Sequence, residues 1–338
     1  MPATADRLYL GDRIGNYRVE LELGSDEKSA TYRAAHLVLP RKARIKLLDG
    51  AQDQPLIVHV LREACLLDAL HHPGIVRVYE SGLHEGRPWF ATELVEAGSI
   101  KAQLEPGAID RIEAIALLRD VAHVLEHAFR RGVIHCGLRP ERILLTGRTR
   151  AFPICVVGWS DARLHDAAPQ PFAPSAAAWH YTAPELASGD TIDDRTDVFA
   201  LGVIAYQMLT GQVPFEGGIL SIVHDGTLQH VPTAILAPDL PPELTRLVDS
   251  MLAYERWDRP AIGEVLAELT WISEAAEIDA PAPIAASGPI RIRRPRWTPP
   301  IAFERAPLLP EIELGAVLES LEPSEPSEPG PSEDESSS

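Results

Sequence analysis

VIHCGLRPERILL, Val133 to Leu145, is the stretch on which the fold of this chain turns. Apolar residues open and close it, and between them stand His135, Cys136, Gly137, Arg139 and Arg142. Just upstream, DRIEAIALLRDVAHVLEHAFRRG (residues 110–132) has the spacing of a long amphipathic helix closed by Gly132. Downstream, TDVFALGVIAYQMLTG (196–211) is so evenly apolar that it predicts a buried helix closed by Gly211. PPELTRLVDSMLAY (241–254) and AIGEVLAELTWISEA (261–275) predict two more helices.

The first hundred residues have a different character. YRVELELGS (17–25) alternates like a strand, SATYRAAHL (29–37) pairs back to it, and RKARIKLLD (41–49) is a third strand. IVHVLREACLLDALHH (57–72) is helical in spacing and stops at Pro73. GIVRVYESGLHEGRPWFATELV (74–95) predicts two strands around a glycine-containing turn. A small sheet lobe followed by a larger helical lobe is the expected outline.

The 338 residues leave room for a substantial core, and the formal net charge of −18 argues against a general nucleic-acid binder. Cys65, Cys136 and Cys155 are far apart and show no paired metal spacing, which suits a reduced, cytoplasmic setting. No window approaches the roughly 18 apolar residues of a membrane span, and the N-terminal residues lack the apolar run of a signal peptide. Beyond about residue 275 the chain turns rich in Pro, Ala, Ser and Glu, the composition of a disordered tail. Within it IRIRRPRW is basic, and EIELGAVLESL places Leu314, Val317, Leu318 and Leu321 on one helical face suited to groove docking. The acidic Ser-Glu-Pro repeat at the end offers acceptors for phosphate.

From Tyr17 to Trp271 the order of landmarks resembles a eukaryotic-like bacterial serine/threonine protein kinase domain. The resemblance implies an α+β, bilobal fold: a lead at 1–16, a domain at 17–272 with its lobes meeting near 95–96, and a tail at 273–338. GSDEKSAT (24–31) stands where the family has its glycine-rich loop, which lets backbone amides approach phosphates. Gly24 is kept, while Asp26 and Ser29 take the places of the next two glycines. ARIK keeps the family lysine as Lys46 and puts Arg44 where an alanine packs on adenine. Glu63 matches the helix glutamate that pairs with that lysine. FATELVEAGSI matches the hinge, with Thr92 as gatekeeper and backbone groups from Glu93 to Val95 facing an adenine. With Leu144, the residues Gly24, Lys46, Glu63, Glu93 and Val95 are the set implied for ATP or ADP.

The chemistry-bearing positions depart from the family. Gly137 stands for the catalytic aspartate, Arg139 for the lysine, and Arg142 for an asparagine that would hold magnesium. In VVGWSDAR, Gly158 stands for the metal-binding aspartate. Phosphoryl transfer in this family is positioning plus charge neutralisation by metal, and magnesium needs oxygen ligands. Losing a general base alone costs about 10²–10⁴-fold. Asp161 is the nearest spare carboxylate, and its use asks for a three-residue slip. The structural positions persist: His135 and Trp159 stacking with Leu67, Asp197 on the catalytic-loop backbone, and Glu185 paired with Arg259. Ala178 replaces a docking threonine and Cys136 a phosphate-reading arginine, so control through phosphate on Ser175 or Thr182 is not expected.

These readings lead to the expectation of a pseudokinase. It is not an enzyme, has no metal or obligate cofactor, and serves as a scaffold or allosteric regulator by binding another protein. The alternatives are a metal-independent nucleotide sensor using Lys46, Arg139 and Arg142, and residual serine/threonine kinase activity.

Overall fold

The alternating stretches near the N-terminus form one antiparallel sheet. In the computed structural model, which describes residues 7–25, 29–48, 54–104, 109–147, 150–165, 167–169, 176–215, 217 and 230–279, its strands are β1 (Arg13–Ile14), β2 (Tyr17–Ser25), β3 (Ser29–His36), β4 (Lys42–Leu48), β5 (Val78–His84) and β6 (Arg87–Glu93). They lie in the order β1-β2-β3-β4-β6-β5. Side chains on a strand alternate between faces, and β4 shows what that does here. Ala43, Ile45 and Leu47 enter a core with Tyr17, Val19, Tyr32 and Trp89. Arg44 and Lys46 are thereby turned to the opposite face, in register with Thr92 and Phe90 of β6.

The sheet begins earlier than the alternation at Tyr17 suggests. Ile14 of β1 pairs with Tyr17, and Leu8 is buried with its N–H donating to the Tyr32 hydroxyl at 3.2 Å. The lead packs through single apolar residues among charged ones, a pattern without a readable period. Helix α1 (Gln54–Ala69) ends before His71 and His72, because the residue preceding Pro73 is steered away from helical angles.

The second lobe is helical. Its elements are α2 (Lys101–Leu104), α3 (Arg111–Phe129), α4 (Pro184–Ser188), α5 (Asp194–Thr210), α6 (Thr233–Leu236), α7 (Pro242–Met251) and α8 (Ile262–Asp279). Asp110 caps α3 by accepting from the N–H groups of Ile112 and Glu113. Helix α5 is buried along nearly its whole length and stops at Gly211, whose φ of 76° is left-handed. Helices α3, α7 and α8 pack around it.

Two short ladders position the loops between these elements. β7 (Val133–Ile134) pairs with β10 (Arg163–Leu164), and β8 (Ile143–Leu145) pairs with β9 (Ile154–Val156). Residues 135–142 and 157–162 are therefore held side by side. Asp26, Ser175 and the expected tail beyond residue 279, with Leu314, Val317, Leu318 and Leu321, lie outside the described residues.

Candidate active site

The site begins at the end of β7. Asp197, in the first turn of α5, accepts from the N–H of His135 at 2.7 Å and of Cys136 at 2.9 Å. These bonds hold Cys136 at φ 57°, a left-handed angle that a non-glycine residue rarely adopts. Burial pushes the Asp197 carboxyl up to about 7, against the pull of the two N–H donors. His135 is fully buried, and burial brings its imidazole down to about 3, so the ring is neutral. Its Nδ1 accepts from the Gly137 N–H at 3.2 Å, which leaves Nε2 to donate to the Val157 carbonyl, also at 3.2 Å. The ring meets Trp159 edge-on with centroids 4.6 Å apart, and the Trp159 indole donates to the Val156 carbonyl. Leu67 of α1 lines the same cavity as Trp159.

Arg142 dominates the space in front of this frame. Its Nη1 donates to the Gly137 carbonyl at 2.9 Å and lies 2.7 Å from Oδ2 of Asp161. A Cβ on residue 137 would fall 2.1 Å from that Nη1, and one on residue 158 would fall 2.6 Å from Nε. Gly158 also has φ 81°, a backbone state that side chains strain. The arginine thus occupies room that both glycines leave open.

The residues here do not fit magnesium. A hard cation asks for several oxygen donors, whereas Gly137 and Gly158 supply no side-chain oxygen and Arg142 is itself a cation. Among the described residues no group of three or more His, Cys, Asp or Glu is placed to hold a metal.

Asp161 needs no slip of the chain to reach the site. It ends a short turn at Trp159–Asp161, Arg163 stays in its ladder opposite Ile134, and the Asp161 carboxylate lies 2.7 Å from where a Cβ on residue 137 would be. A carboxylate from the neighbouring loop therefore lies beside residue 137, paired with Arg142. Sequence order hides this approach, since 24 residues separate Gly137 from Asp161 and only the two ladders bring them together.

Between the lobes, Lys46 Nζ and Glu63 Oε2 pair at 2.7 Å, both mostly buried. They line a cavity of about 20 Å³ with Phe90, Thr92, Val157 and Gly158, room for about one water. A wider opening of about 430 Å³ lies under the strand ends, against Gly24, Ser25, Ser29 and Thr31. Arg44 lines both spaces and so stands between them. Its residue surface is exposed to solvent, yet neighbouring protein atoms partly desolvate the guanidinium and lower its pKa, and the charge of Arg142 lowers it further. Burial and the charge of Arg142 lower Arg139 in the same way.

The remaining expected residues frame this cleft. Gly24 pairs with Thr31 in the β2–β3 ladder, and a Cβ there would touch nothing within 4 Å. Glu93 closes β6, its N–H donating to the Arg77 carbonyl and its carboxylate pairing with Arg150. Val95 lies beyond the ladder, half-buried, and Leu144 sits in β8 opposite Cys155. Farther back, Arg259 forks onto Glu185 at 2.8 and 3.0 Å and also donates to the carbonyls of Ala253, Tyr254 and Arg195. Thr182 is buried with its hydroxyl donated to the Ala178 carbonyl at 2.9 Å.

Residues 17–272 match the family model described as protein kinase domain. The serine/threonine-protein kinase PknJ of Mycobacterium tuberculosis is 30% identical over 256 residues, covering 74% of this chain and 43% of PknJ. PknL of the same species, also a serine/threonine-protein kinase, is 30% identical over 286 residues, covering 79% of this chain and 69% of PknL. The crystal structure of the M. tuberculosis PknI kinase domain superposes with a TM-score of 0.61 at 24% identity, covering 79% of this chain and all of that one. That likeness bears on the fold. The family match and the named relatives overturn the expectation that this chain stands outside the enzymes: they place it with a family of enzymes.

Proposed function

Because the chain belongs to the protein kinase family, we propose that it acts in bacterial signalling by presenting this domain to a second protein, as a scaffold or allosteric regulator. One observation carries the reading. The Lys46–Glu63 pair is made at 2.7 Å, so α1 is fixed toward the sheet by the chain's own charges. A helix held this way gives a partner a constant surface, and binding needs no cofactor. The separate, free cysteines agree with a cytoplasmic setting. Among the described residues no helix is long and apolar enough to cross a membrane.

The test uses the purified full chain as bait for bacterial serine/threonine kinases and their substrates, followed by calorimetry on each captured protein. A partner that binds the wild type and binds at least ten-fold more weakly when Lys46→Met releases α1 supports the proposal. A partner indifferent to that substitution contradicts it.

A second reading is serine/threonine phosphorylation, the activity for which PknJ and PknL are named. The place of the Asp161 carboxylate favours it, since a carboxylate there can take the proton of an acceptor hydroxyl. Transfer of label from γ-labelled ATP to a general acceptor, abolished by both Asp161→Asn and Lys46→Met, is the expected outcome under this reading. Transfer that survives Asp161→Asn removes it.

A further inference from the structure

We infer that Arg142 is a resident cation that replaces the divalent metal of this site, so that the cleft admits a nucleoside phosphate without magnesium or manganese. The inference stands under either functional reading.

It rests on shape first. The Arg142 side chain lies along both positions where metal-ligating or catalytic carboxylates are implied. Its Nη1 lies against residue 137 and its Nε and Cδ against residue 158, so close that a Cβ at either position would displace the arginine from this place. The present course of the arginine therefore uses the room left by both glycines.

Connectivity points the same way. Through Arg142 the Gly137 carbonyl on one loop is joined to the Asp161 carboxylate on the other, at 2.9 and 2.7 Å. A metal would bridge these two segments with charge, and a guanidinium does so with directed N–H donors. Four cations, Arg44, Lys46, Arg139 and Arg142, stand around the cleft beside three carboxylates, Glu63, Glu141 and Asp161, which leaves a small positive excess. Arg44 faces the wide opening, and Arg44 and Arg139 each lie close enough to Arg142 to feel its charge. Such a set suits a phosphate and repels a divalent ion.

The test is manganese binding to the full chain by electron paramagnetic resonance, alone and with ATP, beside ATP titrations in EDTA and in magnesium. For the wild type, no bound manganese is expected, and ATP affinity should agree within two-fold between EDTA and magnesium. The double substitution Arg142→Asn with Gly158→Asp should gain one manganese site and bind ATP at least ten-fold more tightly with magnesium. If that variant does not fold, Arg142→Asn alone decides, because it frees Asp161. Manganese bound there supports the inference, and none overturns it. Manganese bound by the wild type, ATP binding that needs magnesium, no detectable ATP binding in EDTA, or gain of a metal site by Gly158→Asp alone each overturn it as well.

Discussion

Two arginine–carboxylate pairs of this molecule look alike on paper and do different work. Arg259 and Glu185 form a fork with side chains essentially closed to water, and every donor of the guanidinium's inner face meets an oxygen. Arg142 and Asp161 meet through a single nitrogen at the cleft, with a third of the Asp161 side chain exposed. The first pair ties α4 to the turn that precedes α8. The second sets the charge of the site. Burial separates the two roles: a dry pair is felt by the whole fold when broken, and a wet one mostly by what binds beside it.

The sharpest way to break this contrast is Arg259→Ala. Leaving Glu185 buried and unpaired should cost about 3–5 kcal/mol, read as a lowered midpoint in urea. Arg259→Lys should recover only part, because an ammonium lacks the fork.

Acid comes next. His72 and His127 lie against each other with ring centroids 4.7 Å apart, and burial lowers His72 to about 3 and His127 to about 4. His135 is also at about 3. Once unfolded, each returns to near 6.5 and binds a proton that the folded state refuses. Their contribution is therefore complete above 6.5 and is lost as pH falls toward 3. Asp197 works in the opposite sense between about 7 and 3.8, where the folded state holds the proton more tightly. One carboxyl offsets only part of three histidines, so urea midpoints should fall between pH 7 and pH 5, less steeply in His127→Gln.

Arg142→Asn should be milder than either. It removes one hydrogen bond to Gly137 and one partly exposed pairing, a loss of about 1 kcal/mol. A loss equal to that of Arg259→Ala would mean the cleft pair also holds the fold. Smallest of all should be Gly24→Ala, within about 0.5 kcal/mol, since nothing stands near the added methyl.

The frame was legible in the sequence because it is written in local terms. The strands at Tyr17–Ser25 and Ser29–His36, the helix after Asp110 and its stop, and the buried α5 ending at Gly211 all announce themselves by period and cap. Lys46 and Glu63 were legible too, and they meet as the resemblance implies. What was hidden depends on approach between distant segments. The lead strand Arg13–Ile14 has too few residues to show a period. Asp161 was expected to need a three-residue slip before it could serve, and its place beside residue 137 is set by the β7–β10 ladder and not by its sequence neighbours. Gly137 reads in the sequence as a lost side chain, and in the structure the Arg142 side chain fills that space. The expectation of a chain outside the enzymes followed from reading those positions one at a time, and the family match corrected it.

The measurement that bears most directly on the site is calorimetric titration of the full chain with ATP, once in EDTA and once in magnesium. Equal affinity in the two buffers is the predicted result, because Arg142 already supplies the positive charge. Affinity ten-fold tighter in magnesium would contradict it and return the metal to the site.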